Sequence, residues 1–368
     1  MNYRLLIINM GSTSTKVGVY LDDSPVWTHT ITHPREDIAR YLHFMDQYEY
    51  RLGAIKTLLA EKGERLEDFH AIVSRGGTIR PVRGGTYAIT SQMLKDSQCG
   101  LYGDHPCNIG GQIAYDLASK YQIPALTVDP PVCNEMRPEA TYSGLPEIQR
   151  IASFQALNHR ATARRYCRDH HIAYTDVNLI VAHMGGGITV AAHEKGKITD
   201  VNNGLAGDGP FALERSGDLP VGELIKLCYS GKYTLDEMLR RVNGRGGMVA
   251  YLGTVDGKEV QRRIDSGDDL ARSVTEAMAY QVVKEIGGIA ASMCGEVDAI
   301  LLTAGLAYWE YFVGLIKSRV SFLAPVLAYP GENELESLAL GALRVLRKEE
   351  ELLSLIHISE PTRQEAIS

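Results

Sequence analysis

"LLIINMGSTSTKVGVY", Leu5 to Tyr20, is the stretch on which the reading of this chain turns. An apolar run breaks into Gly11-Ser12-Thr13-Ser14-Thr15-Lys16 and resumes as an alternating apolar run, the pattern of two strands joined by a turn of small hydroxyl residues. Such residues suit a phosphate cradle, yet the Gly-Lys-Ser/Thr helix start of a P-loop is missing. Further along, "LIVAHMGGGITVAAHEKGKITDV", Leu179 to Val201, repeats the design. Setting Met10-Gly11 over Met184-Gly185 places Asn9 opposite His183, so the chain reads as internally duplicated. One glycine-rich turn mostly just reverses a strand. Two corresponding turns, each rich in backbone N–H groups that no bulky Cβ screens, predict a pair of anion cradles for the phosphates of one nucleotide.

Working outward, 368 residues at 45% hydrophobic composition exceed what a single core usually serves, and two domains are expected. The net charge of −7, with both signs scattered, gives no footprint for nucleic acid. The basic run "HRATARRYCRDHH" at 159–171 reads as the solvated face of a helix. Six cysteines without a C-x-x-C pair point to a reduced, cytoplasmic protein. No run reaches the roughly 20 apolar residues that span a bilayer.

Strands over Arg4 to Ile31, a long helix over Ile38 to Glu61, a strand at "AIVSRGG", a helix from Ile109 to Tyr121 and a strand from Ala125 to Val128 predict a mixed α/β sheet. A second set follows: a helix over Ala156 to Arg168, the second hairpin, helices between Val221 and Cys294, and the strand "AILLTAG". A closing helix lies in "ELESLALGALRVLRKEE". The segment "LSLIHISEPTR", Leu353 to Arg363, resembles an in-frame translation of a sequencing-library adapter. Residues 353–368 are therefore expected to be a non-native tail, with the folded part ending near Glu350.

"INMGSTSTK", "HMGGGIT", "ERSGDLP" and "LLTAGLA", in this order, resemble the phosphate-1, phosphate-2 and adenosine segments of the acetate and sugar kinase, heat-shock chaperone and actin superfamily. Within it the chain is similar to the butyrate kinase branch of the acetokinase family over Met1 to Glu350. The resemblance implies two duplicated actin-like (ribonuclease H-like) βββαβαβα domains with ATP in an interdomain cleft. The first domain would comprise 1–150 plus a returning helix at 335–350, and the second 151–334. It also implies ATP/ADP and Mg²⁺, a short-chain carboxylic acid as phosphoryl acceptor, and a homodimer or larger homo-oligomer. The implied reaction is reversible transfer of the γ-phosphate to butanoate or a branched C4 to C5 acid.

Residue by residue, the resemblance sets Asn9, Ser12, Ser14 and Lys16 at the first phosphate segment, with Asn9 near the metal, and Gly185, Gly186 and Gly187 at the second. Thr303, Ala304 and Gly305 fall in the adenosine turn, where relatives more usually carry a second glycine in place of Ala304. Glu334 matches a glutamate that reaches Mg²⁺, although an acidic residue there also suits ordinary helix capping. Arg75, at a strand end where α/β sheets place ligands, matches an arginine on the acyl substrate. Arg215 matches the arginine that steadies the transferring phosphoryl group, although Glu214 and Asp218 also make it a loop staple. His183 matches a histidine touching that group. His159 falls on another family histidine position, with packing an equal alternative. Asp129 matches an aspartate near the reacting centre, for orienting an arginine or Mg²⁺-bound water, or else it caps the Pro130-Pro131 turn. His105 stands one residue closer to Asn108 than in acetate kinases.

Other readings remain open. Acetate or propionate kinase is the nearest, set against by "RGGTIRPVRGGTY" and the overall length. A sugar kinase needs an aspartate base for a hydroxyl acceptor and leaves two arginines unexplained. An actin-like or chaperone-like ATPase switch would use the same cleft without an acyl acceptor.

Overall fold

The computed structural model of the protein describes residues 2–100, 102 and 105–355. They form two compact units, the residues up to Cys133 together with those from Asn333 onward, and Asn134–Glu332.

The first unit holds the strands β1 (Arg4–Met10), β2 (Ser14–Leu21), β3 (Ser24–Thr32), β4 (Ala71–Ser74), β5 (Thr86–Ala88) and β6 (Ala125–Val128), in the spatial order β3-β2-β1-β4-β6-β5. β1 pairs antiparallel with β2 and parallel with β4, so it lies inside the sheet and Leu5 to Met10 are buried. That explains its unbroken apolar run, since a strand covered on both faces has no solvent side to alternate toward. The helix Cys107–Tyr121 places Ile109, Ile113 and Leu117 on one buried face at helical spacing. The helix Glu334–Leu346 returns to this unit, where the Thr86 hydroxyl donates to the Gly341 carbonyl at 3.0 Å.

The second unit holds β7 (Asn178–Met184), β8 (Ile188–Glu194), β9 (Lys197–Val201), β10 (Ala299–Ala304) and β11 (Val326–Pro330), ordered β11-β10-β7-β8-β9. This repeats the β6-β4-β1-β2-β3 order and directions of the first sheet, as the duplicated sequence pattern predicted. Its core joins the sheet to the helix Asp269–Ser292 through Met278, Val282, Ile286 and Ile289.

Three expectations are corrected, and three elements are added. The helix over Ile38 to Glu61 is broken into Arg35–Ile38, a 3₁₀ turn at Phe44–Gln47 and the helix Tyr48–Glu61. The His43 N–H donates to the Asp46 carboxylate at 3.0 Å, a capping box that restarts the helix. The short strands β5 and β11 and the helix Ser91–Gln98 had no sequence signal strong enough to be read. Residues 134–150 go with the second unit: the Arg137 N–H donates to the Thr199 carbonyl at 2.9 Å, and Arg150 pairs with Asp200 at 3.2 Å. Finally, the fold continues past Glu350. Leu353 exchanges backbone hydrogen bonds of 2.9 Å with Thr86 and Ala88 at the β5 edge, and Leu353 and Leu355 are buried in the first core. The remainder of the adapter-like segment, 356–368, lies outside the described residues.

Candidate active site

In the first unit four of the expected residues meet on one carboxylate. Glu334, at the first turn of the returning helix, accepts from Asn9 Nδ2 at 2.6 Å, Lys16 Nζ at 3.0 Å and Arg75 Nη1 at 3.0 Å. Asn9 is the last residue but one of β1, Lys16 opposes it on β2, and Arg75 follows β4, so antiparallel and parallel neighbours bring these strand ends to one point. Asn9 Oδ1 is buried and, among the described residues, has no partner. After Arg75 the backbone runs close to its neighbours, where only glycine fits: a Cβ on Gly77 would lie 2.7 Å from Asn108 Oδ1, which accepts the Thr78 N–H.

The turn carrying Ser12 and Ser14 closes through a Gly11 N–H to Ser14 carbonyl bond of 2.8 Å. Beneath it lies Arg51, which sequence reading passed over. The signal was present: Arg51, Ile55, Leu58 and Leu59 share one buried face of the helix Tyr48–Glu61, where an arginine is out of place.

Asp129 is buried with φ of +42°, and its Oδ1 accepts the Gly85 N–H at 2.8 Å while its own N–H donates to the Gly85 carbonyl at 2.9 Å. Its side chain is thus tied to the loop entering β5. His105 sits at the start of the helix Cys107–Tyr121, where its Nδ1 accepts the Cys107 N–H at 3.2 Å.

In the second unit the glycine hairpin joins β7 to β8, closed by a Gly185 N–H to Gly187 carbonyl bond of 2.9 Å. These glycines have a steric reason. A Cβ on Gly186 would stand 3.0 Å from Glu214 Oε2, and one on Gly187 3.0 Å from the Gly204 carbonyl and 3.2 Å from Arg215 Nη1. Arg215 therefore presses its guanidinium against the bare hairpin backbone. Its Nε and Nη1 are buried and lack partners among the described residues, and burial, offset in part by Glu214, holds its pKa below the usual arginine value.

His183, buried at the end of β7, has Nδ1 2.8 Å from Asn158 Oδ1, which makes that nitrogen the N–H donor. Its Nε2 then faces Glu332 Oε1 at 3.4 Å, beside Gly185. His159 is fully buried and lies between the rings of His183 and His193, at centroid distances of 6.0 and 5.8 Å. Burial first, then His193 and His183, pushes its pKa well below the ordinary range, so this ring is neutral. Asn158, His193 and Glu332 were missed, because only folding brings Asn158 and Glu332 to His183 and His193 to His159.

Beside the hairpin is a cavity of about 1050 Å³ whose walls include Gly185, Gly186, Leu213, Gly305, Leu306 and Trp309. Trp309 is fixed by an indole N–H bond to Gln261 Oε1 of 2.5 Å and by stacking on Phe312. A flat apolar wall next to backbone donors fits a base with phosphates attached. Of the expected adenosine turn, Gly305 lines the cavity. Thr303 is turned away, its hydroxyl donating to the Gly331 carbonyl at 3.3 Å. Ala304 is buried at φ +69°, ψ −164°, a conformation that costs a non-glycine residue about 1–3 kcal/mol.

Comparison with known proteins bears on the family and the fold. Residues 150–313 match the model of the acetokinase family. Among solved structures, the acetate kinase of Porphyromonas gingivalis superposes with a TM-score of 0.78 at 19% identity, covering 94% of this chain and 100% of that one. The acetate kinase of Entamoeba histolytica gives 0.72 at 16% identity, covering 95% and 99%. A propionate kinase from Francisella tularensis gives 0.71 at 17% identity, covering 92% and 98%. At such identities the likeness is one of fold. Residues 150–313 are thus similar to the acetokinase family, in a chain that shares the two-sheet α/β fold of acetate and propionate kinases.

Proposed function

We propose that this protein transfers the γ-phosphate of ATP to a short-chain carboxylate, with butanoate or a branched C4 to C5 acid preferred over acetate, and that the transfer is reversible. The observation that carries the reading is Arg215, a guanidinium held against a glycine hairpin with buried, unpartnered nitrogens. Such nitrogens call for an anion, since an arginine fork matches phosphoryl oxygens and unmet buried donors are costly. The neighbouring cavity offers a base site, and the acetokinase match supports acyl phosphate chemistry.

A carboxylic acid with a reference pKa of about 4 is already ionised at neutral pH, so the acceptor needs no general base. It needs relief from repulsion by the γ-phosphate. Arg75 holds the carboxylate, Arg215 the equatorial phosphoryl oxygens, and His183 Nε2 contacts the same group. The N–H groups of Gly185 to Gly187 and the side chains of Ser12, Ser14 and Lys16 take the phosphates. Gly305 shapes the adenosine end, with Thr303 and Ala304 holding the turn behind it. His159 positions the His183 ring, and Asp129 fixes the loop entering β5.

Among the described residues no cluster of three or more His, Cys, Asp or Glu side chains gathers for a metal. Mg²⁺ held mainly through nucleotide phosphates asks for only one or two carboxylates. The Glu334 carboxylate and the unpartnered Asn9 Oδ1 fit that role. When bound, the ion neutralises charge on the transferring phosphates.

The test is ATP- and Mg²⁺-dependent acyl-hydroxamate formation with acetate, propionate, butyrate, isobutyrate and valerate. Higher kcat/KM for butyrate or isobutyrate than for acetate is expected, an added methylene in an apolar pocket being worth roughly tenfold or more. A preference for acetate overturns the chain-length assignment. No hydroxamate with any acid overturns the kinase assignment.

A further inference from the structure

Arg51 is fully buried, and among the described residues no carboxylate pairs with it. All its partners are neutral. Nε donates to Gln47 Oε1 at 2.9 Å, Nη2 to the Ser12 carbonyl at 2.8 Å, and Nη1 to the Gly11 carbonyl at 2.9 Å, with longer contacts to the Ser14 carbonyl at 3.4 Å and Thr15 Oγ1 at 3.3 Å. Burial holds its pKa below the usual arginine value. A buried cation without a counter-charge is costly, and structures normally supply a carboxylate. Nearby, His33 adds no second cation: its Nε2 lies 2.8 Å from Thr15 Oγ1, and burial followed by Arg51 lowers its pKa to about 4.

In a trans peptide the carbonyl of one residue and the N–H of the next point in opposite directions. Drawing the Gly11 and Ser12 carbonyls down onto Arg51 therefore turns the Ser12 and Thr13 N–H groups away from it, out of the turn. The charge also polarises those two peptide units and strengthens their outward donors. We propose that Arg51 is a positioning residue of the first phosphate hairpin, holding its backbone donors outward, and that the nucleotide's phosphates supply through the turn the counter-charge this arginine lacks. The inference rests on the kinase reading above, because it takes the hairpin's anion to be a nucleotide phosphate.

Calorimetric titration with ATP, ADP and adenosine tests it on the wild type, Arg51→Met and Arg51→Lys. Loss of charge-assisted bonds beneath the turn is expected to weaken ATP and ADP by roughly tenfold to a hundredfold in Arg51→Met. Adenosine affinity stays within about twofold, since adenosine does not use the hairpin. Arg51→Lys, which keeps the charge but cannot span both carbonyls, falls between, and it carries the test alone if the Met variant does not fold. ATP affinity unchanged in the variants, or lost equally with adenosine, overturns the inference. A wild type that binds adenosine no more weakly than ATP overturns the nucleotide-phosphate reading itself, and the inference with it.

Discussion

In the first unit the turn from β1 to β2 is built of hydroxyl residues with a buried arginine beneath its carbonyls, whereas in the second the turn from β7 to β8 is built of glycines with an arginine laid directly against it. Both turns end corresponding strands of sheets with the same order. The first leaves room: a Cβ on Gly11 would meet Ser14 Oγ at 3.4 Å, an ordinary contact. The second leaves none at Gly187. A duplicated fold thus reaches one electrostatic end, donors backed by a cation, by two constructions. The local sequence of each turn follows from where its cation sits.

The largest effect should come from the direct cation. Arg215→Ala is expected to lower kcat by roughly 10²- to 10³-fold, the usual cost of removing one preorganised donor to developing charge. On the proposed mechanism Arg75→Ala should also raise KM for the acid, and the double variant should be little worse than the poorer single one. Steady-state kinetics with varied acid checks this, and near-wild-type turnover in folded Arg215→Ala would sink the mechanism.

The glycines separate the two constructions further. Gly187→Ala forces overpacking against Gly204 and Arg215, worth about 1–3 kcal/mol, and should raise KM for ATP roughly tenfold. Gly11→Ala should leave it within about threefold. Equal effects of the two substitutions would erase the contrast.

The units differ in their edges as well. Leu353 covers the Gly85 and β5 edge of the first sheet, so Leu353→Ala should cost about 2–3 kcal/mol in urea unfolding. No loss would restore the expectation that the fold ends near Glu350. In the second unit, Glu285 has its pKa raised to about 7 by burial, then by Asp208 and Asp218, with Arg150 opposing and Asp200 adding to the rise. The folded protein binds this proton more tightly than the unfolded chain does. Stability should therefore fall as pH rises from the ordinary carboxyl value through about 7 and be level above it. Glu285→Gln should flatten that slope and raise stability at pH 8 by about 1–3 kcal/mol, read from melts across pH. The smallest change is expected from Ala304→Gly. It relieves left-handed strain of about 1–3 kcal/mol against a glycine entropy cost of about 0.5–1 kcal/mol, for a small rise in Tm.

What the sequence determined by itself was whatever a few consecutive residues encode. The two hairpins, the duplication and the buried strands β1 and β7 were legible because period and turn chemistry are local. Arg75, Lys16, Asn9 and Glu334 were each identifiable one at a time. Their meeting on a single carboxylate depends on β1, β2 and β4 being neighbours and on a helix returning over some 260 to 325 positions of chain. The tertiary structure alone decided that Asp129 is tied to Gly85, that His159 is enclosed by two other histidines, and that Leu353 belongs to the first core. It also decided that Arg51 underlies the hairpin, for the same physical reason. Burial and hydrogen-bond partners are properties of chain segments brought together from far apart, and a linear pattern records the residue without the neighbour that gives it its role.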